Sequence, residues 1–289
     1  KLRKILLIIL LIYLILSACC SYRYLNRPFS DFSGAADLIG KNTLYIFEQL
    51  QEEEILLRIA ESTKKERLKP SDLEPKVITT AHLELRKVLI EYIVNYTKLL
   101  ESVIIKEYEK DIAGNAKKVN DNLKNISVNH YEFLSPKETG IMTALAAALP
   151  EALTAVRNRQ FVLKFMKQHD PLIKKLTAVL QDELESTRQM LNNFYSRQFL
   201  VTAVEPWPGA QAKREKFAKL GAKILDRKRK INVILDDLIK AVAIIHPTHQ
   251  KLLAFVKTNK GPLRTLTGLV NYAARIEARY IDFSKEKRN

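Results

Sequence analysis

The sequence predicts an all-α fold: an elongated antiparallel bundle of six or seven helices with coiled-coil-like packing. Three observations predict it. Only 8 glycines and 10 prolines occur in 289 residues, and these are the residues that break helices and punctuate sheets. Apolar residues recur at helical spacing. The clearest set, Leu85, Leu89, Tyr92, Tyr96, Leu99 and Val103, steps 4-3-4-3-4, the pattern of a seam facing another helix. Several stretches also open on a capping residue followed by proline, a start signal for helices. No stretch asks for a sheet larger than a hairpin.

The chain opens on Lys1, Arg3 and Lys4, then runs from Ile5 to Ala18 without a charge and closes on Leu16-Ser17-Ala18-Cys19. A basic start, a short apolar core and small residues before a cut are the parts of a secretory signal. The run is short beside the ~20 residues of a spanning helix. This segment resembles the signal peptide of a bacterial lipoprotein. The resemblance implies cleavage after Ala18, acylation of Cys19 and a lipid anchor in the cell envelope. Because Cys20 rather than Asp follows, it implies the outer membrane, facing the periplasm. The alternative is an uncleaved anchor with incidental cysteines. The expected organisation is a signal peptide over residues 1–18, a tether over 19–33 and a helical bundle over 34–289. The resemblance ends with the signal, and the body resembles no family.

The body is long enough for a real core. Both cysteines sit at the front, so the body has no disulfide framework and no cysteine metal site. The formal charge is +16, three of it in the leading segment, which leaves +13. That balance suits anionic lipid, an acidic partner or plain solubility. An envelope address disfavours nucleic acid.

The elements follow in order. The tether carries Tyr22, Tyr24, Phe29 and Phe32, rings that either lie at the membrane interface or strap back onto the body, the second being favoured. A first helix is expected over 34–68, with Leu38, Tyr45, Ile46, Leu50, Leu57 and Ile59 inward. Glu52, Glu53 and Glu54 point around it and read as a solvated face. Lys69-Pro70 stops it. Ser71-Asp72-Leu73-Glu74 has the capping-box pattern. The next helix, over 76–112, is on the order of 55 Å long at ~1.5 Å per residue and needs a partner rod in the chain or across a dimer. Gly114-Asn115 bends or breaks it. A polar helix follows over 117–129, and its Asn125-Ile126-Ser127 glycosylation pattern means little in a bacterial envelope protein.

Ser135-Pro136-Lys137-Glu138 starts a helix whose stretch from Ile141 to Leu153 is apolar nearly all round. It is either a central helix kinked at Pro150 or an element that inserts into lipid, and its short length favours the first. Asp170-Pro171 repeats the cap-then-proline start, and Ile173, Leu176, Leu180, Leu184, Thr187, Leu191 and Phe194 form the stripe that follows. Residues 201–210 make the long loop, with Trp207 between two prolines as either a binding anchor or a plug.

A long helix over 211–245 has the seam Phe217, Leu220, Ile224, Ile231, Ile234, Leu238, Ala241 and Ile245. Lys216, Lys219, Lys223, Arg227 and Lys230 run beside it. That row reads first as solvation and second as a face for anionic lipid or an acidic partner. His246-Pro247-Thr248-His249 then turns the chain, with Thr248 capping a helix over 250–257. Gly261-Pro262 breaks it, and a last helix carries Leu266, Leu269, Ala273, Ile276 and Tyr280.

Chemistry is hard to find in this sequence. His246 and His249 are the best metal candidates, but a catalytic zinc site takes three protein ligands, and a surface turn is the favoured reading. His82, His130 and His169 are scattered. Asp236 and Asp237 are adjacent and diverge on a helix. No phosphate loop, nucleophile elbow or zinc-protease motif occurs. The expectation is a non-enzymatic envelope scaffold or adaptor, without cofactor or metal, that binds another envelope protein, with a homo-oligomer as a further option. The partner-binding candidates are Trp207, Lys216, Lys219, Lys223, Arg227 and Lys230. The rivals are a membrane-active, pore-former-like protein and a helical-bundle enzyme or small-ligand binder whose site forms only in three dimensions.

Overall fold

The structure is a computed structural model that describes residues 2–62, 74–77, 79–105, 109–128, 159–204, 211–258 and 263–287. Six α-helices make up the described residues: α1 Leu2–Ser62, α2 Thr80–Ile105, α3 Glu109–Val128, α4 Arg159–Phe199, α5 Gln211–Thr258 and α6 Arg264–Lys287. A short π-helical stretch, Leu200–Val204, continues α4. There is no strand among the described residues, so the all-α helical bundle stands. The stretch from Ile141 to Leu153, its Ser135 start, Pro150, His130 and Trp207 lie outside the described residues.

Contacts divide the chain into two units. Unit 1 takes Lys1–Ala36, Tyr92–Ile173 and His246–Val270; unit 2 takes Asp37–Glu91, Lys174–Ile245 and Asn271–Asn289. The core of unit 1 includes Leu25, Phe29 and Phe32 of α1, Tyr92, Tyr96 and Leu99 of α2, Val119 and Leu123 of α3, Phe165 and Met166 of α4, Leu252 and Val256 of α5, and Leu266 and Leu269 of α6, all buried. That of unit 2 includes Ile46, Phe47 and Leu50 of α1, Leu89 of α2, Leu176, Leu180, Leu184 and Leu191 of α4, Ile231, Leu235 and Leu238 of α5, and Ala273, Ile276 and Phe283 of α6. Most residues of the expected stripes fall in these rows; Leu38, Tyr45, Ile59, Leu85, Phe217 and Tyr280 are only half-buried, and two positions depart further. Tyr195 rather than Phe194 is the buried ring near the end of α4, and Leu220 is 42% exposed.

Several boundaries differ from the sequence reading, and most differ at proline. The expected tether is helix: α1 runs through Pro28. A proline inside a helix costs ~3 kcal/mol. Burying Leu25, Phe29 and Phe32 returns ~1.5–3 kcal/mol each, which outweighs that cost. Phe29 and Phe32 therefore strap onto the body, as favoured. Asp170-Pro171 does not start a helix, because α4 begins eleven residues earlier at Arg159. Val162, Phe165 and Met166 already lie in the core before the proline, so packing carries the helix across it. His246-Pro247-Thr248-His249 does not turn the chain either; α5 is helical from Gln211 to Thr258. Ala241, Val242 and Ile245 before Pro247 and Leu252 and Val256 after it are all buried.

Two other boundaries moved for polar reasons. Of the capping-box residues 71–74, the first three lie outside the described residues, and the next helix starts at Thr80. Thr79 Oγ1 accepts from the His82 amide at 3.3 Å. The amides of Lys76 and Val77 are taken by the Glu54 carboxylate, at 2.8 Å and 3.0 Å to its nearer oxygens, which holds that stretch off helix. The single long helix over 76–112 is two, α2 and α3, and Gly114 lies inside α3 rather than at a break.

Candidate functional site

In unit 1, three helices bring four titratable side chains and two tyrosines together. α2 supplies Tyr92 and Tyr96, one turn apart on its buried face. α4 supplies His169 and Asp170, and α5 supplies His246 and His249. Tyr92, Tyr96, His169 and His249 are essentially inaccessible to solvent. The Asp170 side chain is 24% exposed and that of His246 13%. His169 sits at helical spacing from Phe165, Met166, Leu172 and Ile173, so α4 must turn it inward. His249 sits likewise between Ile245 and Leu252.

The hydrogen bonds form a chain. Tyr96 Oη lies 2.7 Å from His249 Nε2. His249 Nδ1 lies 3.0 Å from Asp170 Oδ1, and His246 Nε2 lies 3.1 Å from the same oxygen. One proton assignment satisfies every contact with neutral rings: Tyr96 donates to His249 Nε2, and His249 Nδ1–H and His246 Nε2–H both donate to the carboxylate. Beside this chain Tyr92 Oη meets His169 Nδ1 at 2.5 Å. The rings pack on one another as well: His169 lies 4.2 Å from Phe165, 5.1 Å from Tyr96 and 6.2 Å from Tyr92, centroid to centroid.

Burial sets the charge states. It pushes the His169 imidazolium pKa down to about 3, and the nearby His249 pushes the same way. Burial likewise holds both phenols well above their ordinary range, Tyr96 being helped by Tyr92 and by Asp170. Asp170 stays below the usual carboxylate range. The bond from His249 does most of this, against partial burial, and the electrostatic pull of His249 and His246 adds to it. Chemically the array can keep a proton in a defined place and relay its movement. Among the described residues no group of three or more His, Cys, Asp or Glu side chains is placed to hold a metal ion.

Unit 2 has a polar cluster of another kind. Glu53 is fully buried. It accepts from Tyr195 Oη at 3.1 Å and from Gln198 Nε2 at 3.0 Å, and Arg227 pairs with it. Glu54, also buried, accepts from the Lys76 and Val77 amides and from Arg58 at 2.8 Å. Burial alone would raise its pKa, but those donors hold it below its ordinary value near 4.5. Asp237 is buried between Arg275 and Arg279, while Asp236 faces out toward Arg188, so the two diverge as expected. The acidic run Glu52–Glu54 is therefore not a solvated face: only Glu52 is exposed.

The residues singled out in the sequence fall differently. Cys19 lies on α1, but its side chain, like Trp207, is outside what is described. Lys216, Lys219 and Lys223 are exposed on α5. The row beside the seam is largely matched by acids: Lys219 pairs with Glu215, Lys230 with Asp226 at 2.6 Å, and Arg227 turns inward to Glu53. His246 and His249 do not sit on a surface turn, and His169 is not isolated. The signal that could have found them was in view, since His169, His249 and Glu53 each sit three or four residues from core leucines or isoleucines. Against known proteins, no family model matches the chain, and no curated protein or solved structure is significantly similar to it.

Proposed function

We propose that the protein is a lipid-anchored, non-enzymatic helical adaptor of the bacterial cell envelope that binds another envelope protein. The observation that carries this reading is the basic start, uncharged run and Leu16-Ser17-Ala18-Cys19 closure at the front of α1. Buried lipid methylenes contribute ~0.8 kcal/mol each, so several acyl chains on Cys19 would anchor it durably. The helix supports a close attachment. Leu25 is already core, six residues after Cys19, and at ~1.5 Å per residue the bundle would begin about 9 Å from the lipidated end. No helix among the described residues is long and apolar enough to cross a membrane.

Cys19→Ser should leave the protein unacylated by mass spectrometry and move it from the membrane to the soluble fraction. Crosslinking in cells should then recover one specific envelope protein with wild type. Membrane residence of the Cys19→Ser protein would count against the anchor, and crosslinking that recovers no specific partner against the adaptor role. A second reading, a small-ligand binder, is favoured by the convergence of six polar side chains in unit 1. The membrane-active reading has less support, because three of the five cations in the α5 row already face carboxylates.

A further inference from the structure

We propose that unit 1 is an acid-sensitive unit: its buried tyrosine–histidine array holds the helices together only while His169 is neutral, and mild acid opens unit 1 ahead of unit 2. This is a property of the bundle itself and stands whether or not Cys19 carries lipid.

The argument is geometric. His169 is wedged among Phe165, Tyr92 and Tyr96, with Tyr92 Oη on its Nδ1. In the neutral state that nitrogen accepts the tyrosine proton. A second ring proton there would force Tyr92 Oη to accept instead, leaving the phenol's own proton without this partner, and would place a charge among aromatic rings. The groups that face His169 cannot offset it. From α2 they are two phenols that burial keeps un-ionised. From α5 comes His249, another base, which disfavours the added charge. The carboxylate of Asp170, on α4 beside His169, is engaged by His249 and His246. The remaining charged side chains described in unit 1 are at least partly exposed to solvent. Asp31, Lys98 and Glu101 are the least exposed of them, and Arg27 faces Asp31 at the surface.

The sign follows directly. An opened unit 1 exposes His169 to water, where it takes a proton below its ordinary value near 6.5. The closed unit refuses that proton down to about 3. Between those values opening takes up one proton, so falling pH favours opening by about tenfold per pH unit. In unit 2, Glu54 is held ionised, and its stabilising contribution falls away only as pH drops through its ordinary value near 4.5. The window between the two values belongs to unit 1.

The test is hydrogen–deuterium exchange on the full-length protein at pH 7, 6 and 5, corrected for intrinsic rates. Peptides from residues 92–104, 160–172 and 246–257 report unit 1; peptides from 45–57, 176–191 and 229–242 report unit 2. The expected result is a loss of protection in unit 1 of about 25-fold from pH 7 to 5, with unit 2 unchanged. His169→Gln, which keeps an acceptor for Tyr92 without titrating, should remove that fall. Should it not fold, Tyr96→Phe serves instead; it leaves every imidazole in place and should keep the pH slope with lower protection throughout. Equal losses in both units, no loss in unit 1 by pH 5, or a slope that survives His169→Gln would overturn the proposal.

Discussion

The buried ionisable side chains of unit 1 are imidazoles and phenols that hand hydrogens to one another, with a single carboxylate at the edge of the array. Those of unit 2 are the carboxylates Glu53, Glu54 and Asp237, each facing a guanidinium, with the Tyr195 phenol donating to Glu53. Both arrangements answer one demand, that a buried polar atom must have a partner. They fail differently. A neutral network loses a fraction of its strength when one hydroxyl is removed, and is vulnerable to an added proton. An ion pair in a core tolerates mild acid, but collapses in value when its counter-charge is deleted.

The largest expected effect breaks the charged side of this comparison. Arg227→Ala strands Glu53, which is fully buried, and should cost unit 2 about 3 kcal/mol in urea denaturation followed by circular dichroism. Adding Glu53→Gln should recover part of it, because the stranded charge is gone. A loss under 1 kcal/mol would mean that water reaches Glu53. Next in size is the pH dependence of unit 1. Because His169 is kept neutral down to about 3, stability should fall by about 2 kcal/mol between pH 7 and pH 5, and denaturant midpoints taken across that range check it.

A smaller effect sharpens the neutral side. Tyr92→Phe removes one hydroxyl from His169 Nδ1 and should destabilise unit 1 by about 1 kcal/mol, visible as faster exchange at residues 92–104 alone. The smallest effect is a control at the surface of unit 2. Arg197 and Glu61 pair where both are well exposed, so Arg197→Ala should change stability by less than about 0.5 kcal/mol. A larger change there would blur the line between buried and exposed pairs.

Much of the helical architecture was legible in the sequence. The 4-3-4 seam, half-buried at Leu85 and buried from Leu89 to Val103, the stripe from Ile173 to Leu191 and that from Ile231 to Ile245 each map onto an inward row. Helix ends were less legible, because local start and stop signals compete with packing. Pro28, Pro171 and Pro247 each sit inside a helix, where buried residues on both sides outweigh the lost hydrogen bond. The candidate site was half legible. The burial of His169, His249 and Glu53 follows from their place in apolar stripes. Their partners do not: His249 meets Tyr96 across 153 residues and Glu53 meets Arg227 across 174, and no local pattern encodes a pairing at that range.

The difference between the units rests on one ring. Histidine carbon-13 spectra of the folded full-length protein, recorded from pH 8 to pH 4 with each ring assigned by substitution, test it most directly. The account predicts that His169 keeps its neutral chemical shift in every folded molecule, and that the protonated signal appears only with the opening of unit 1. A smooth titration of His169 near pH 6.5, with unit 1 still closed, would contradict it.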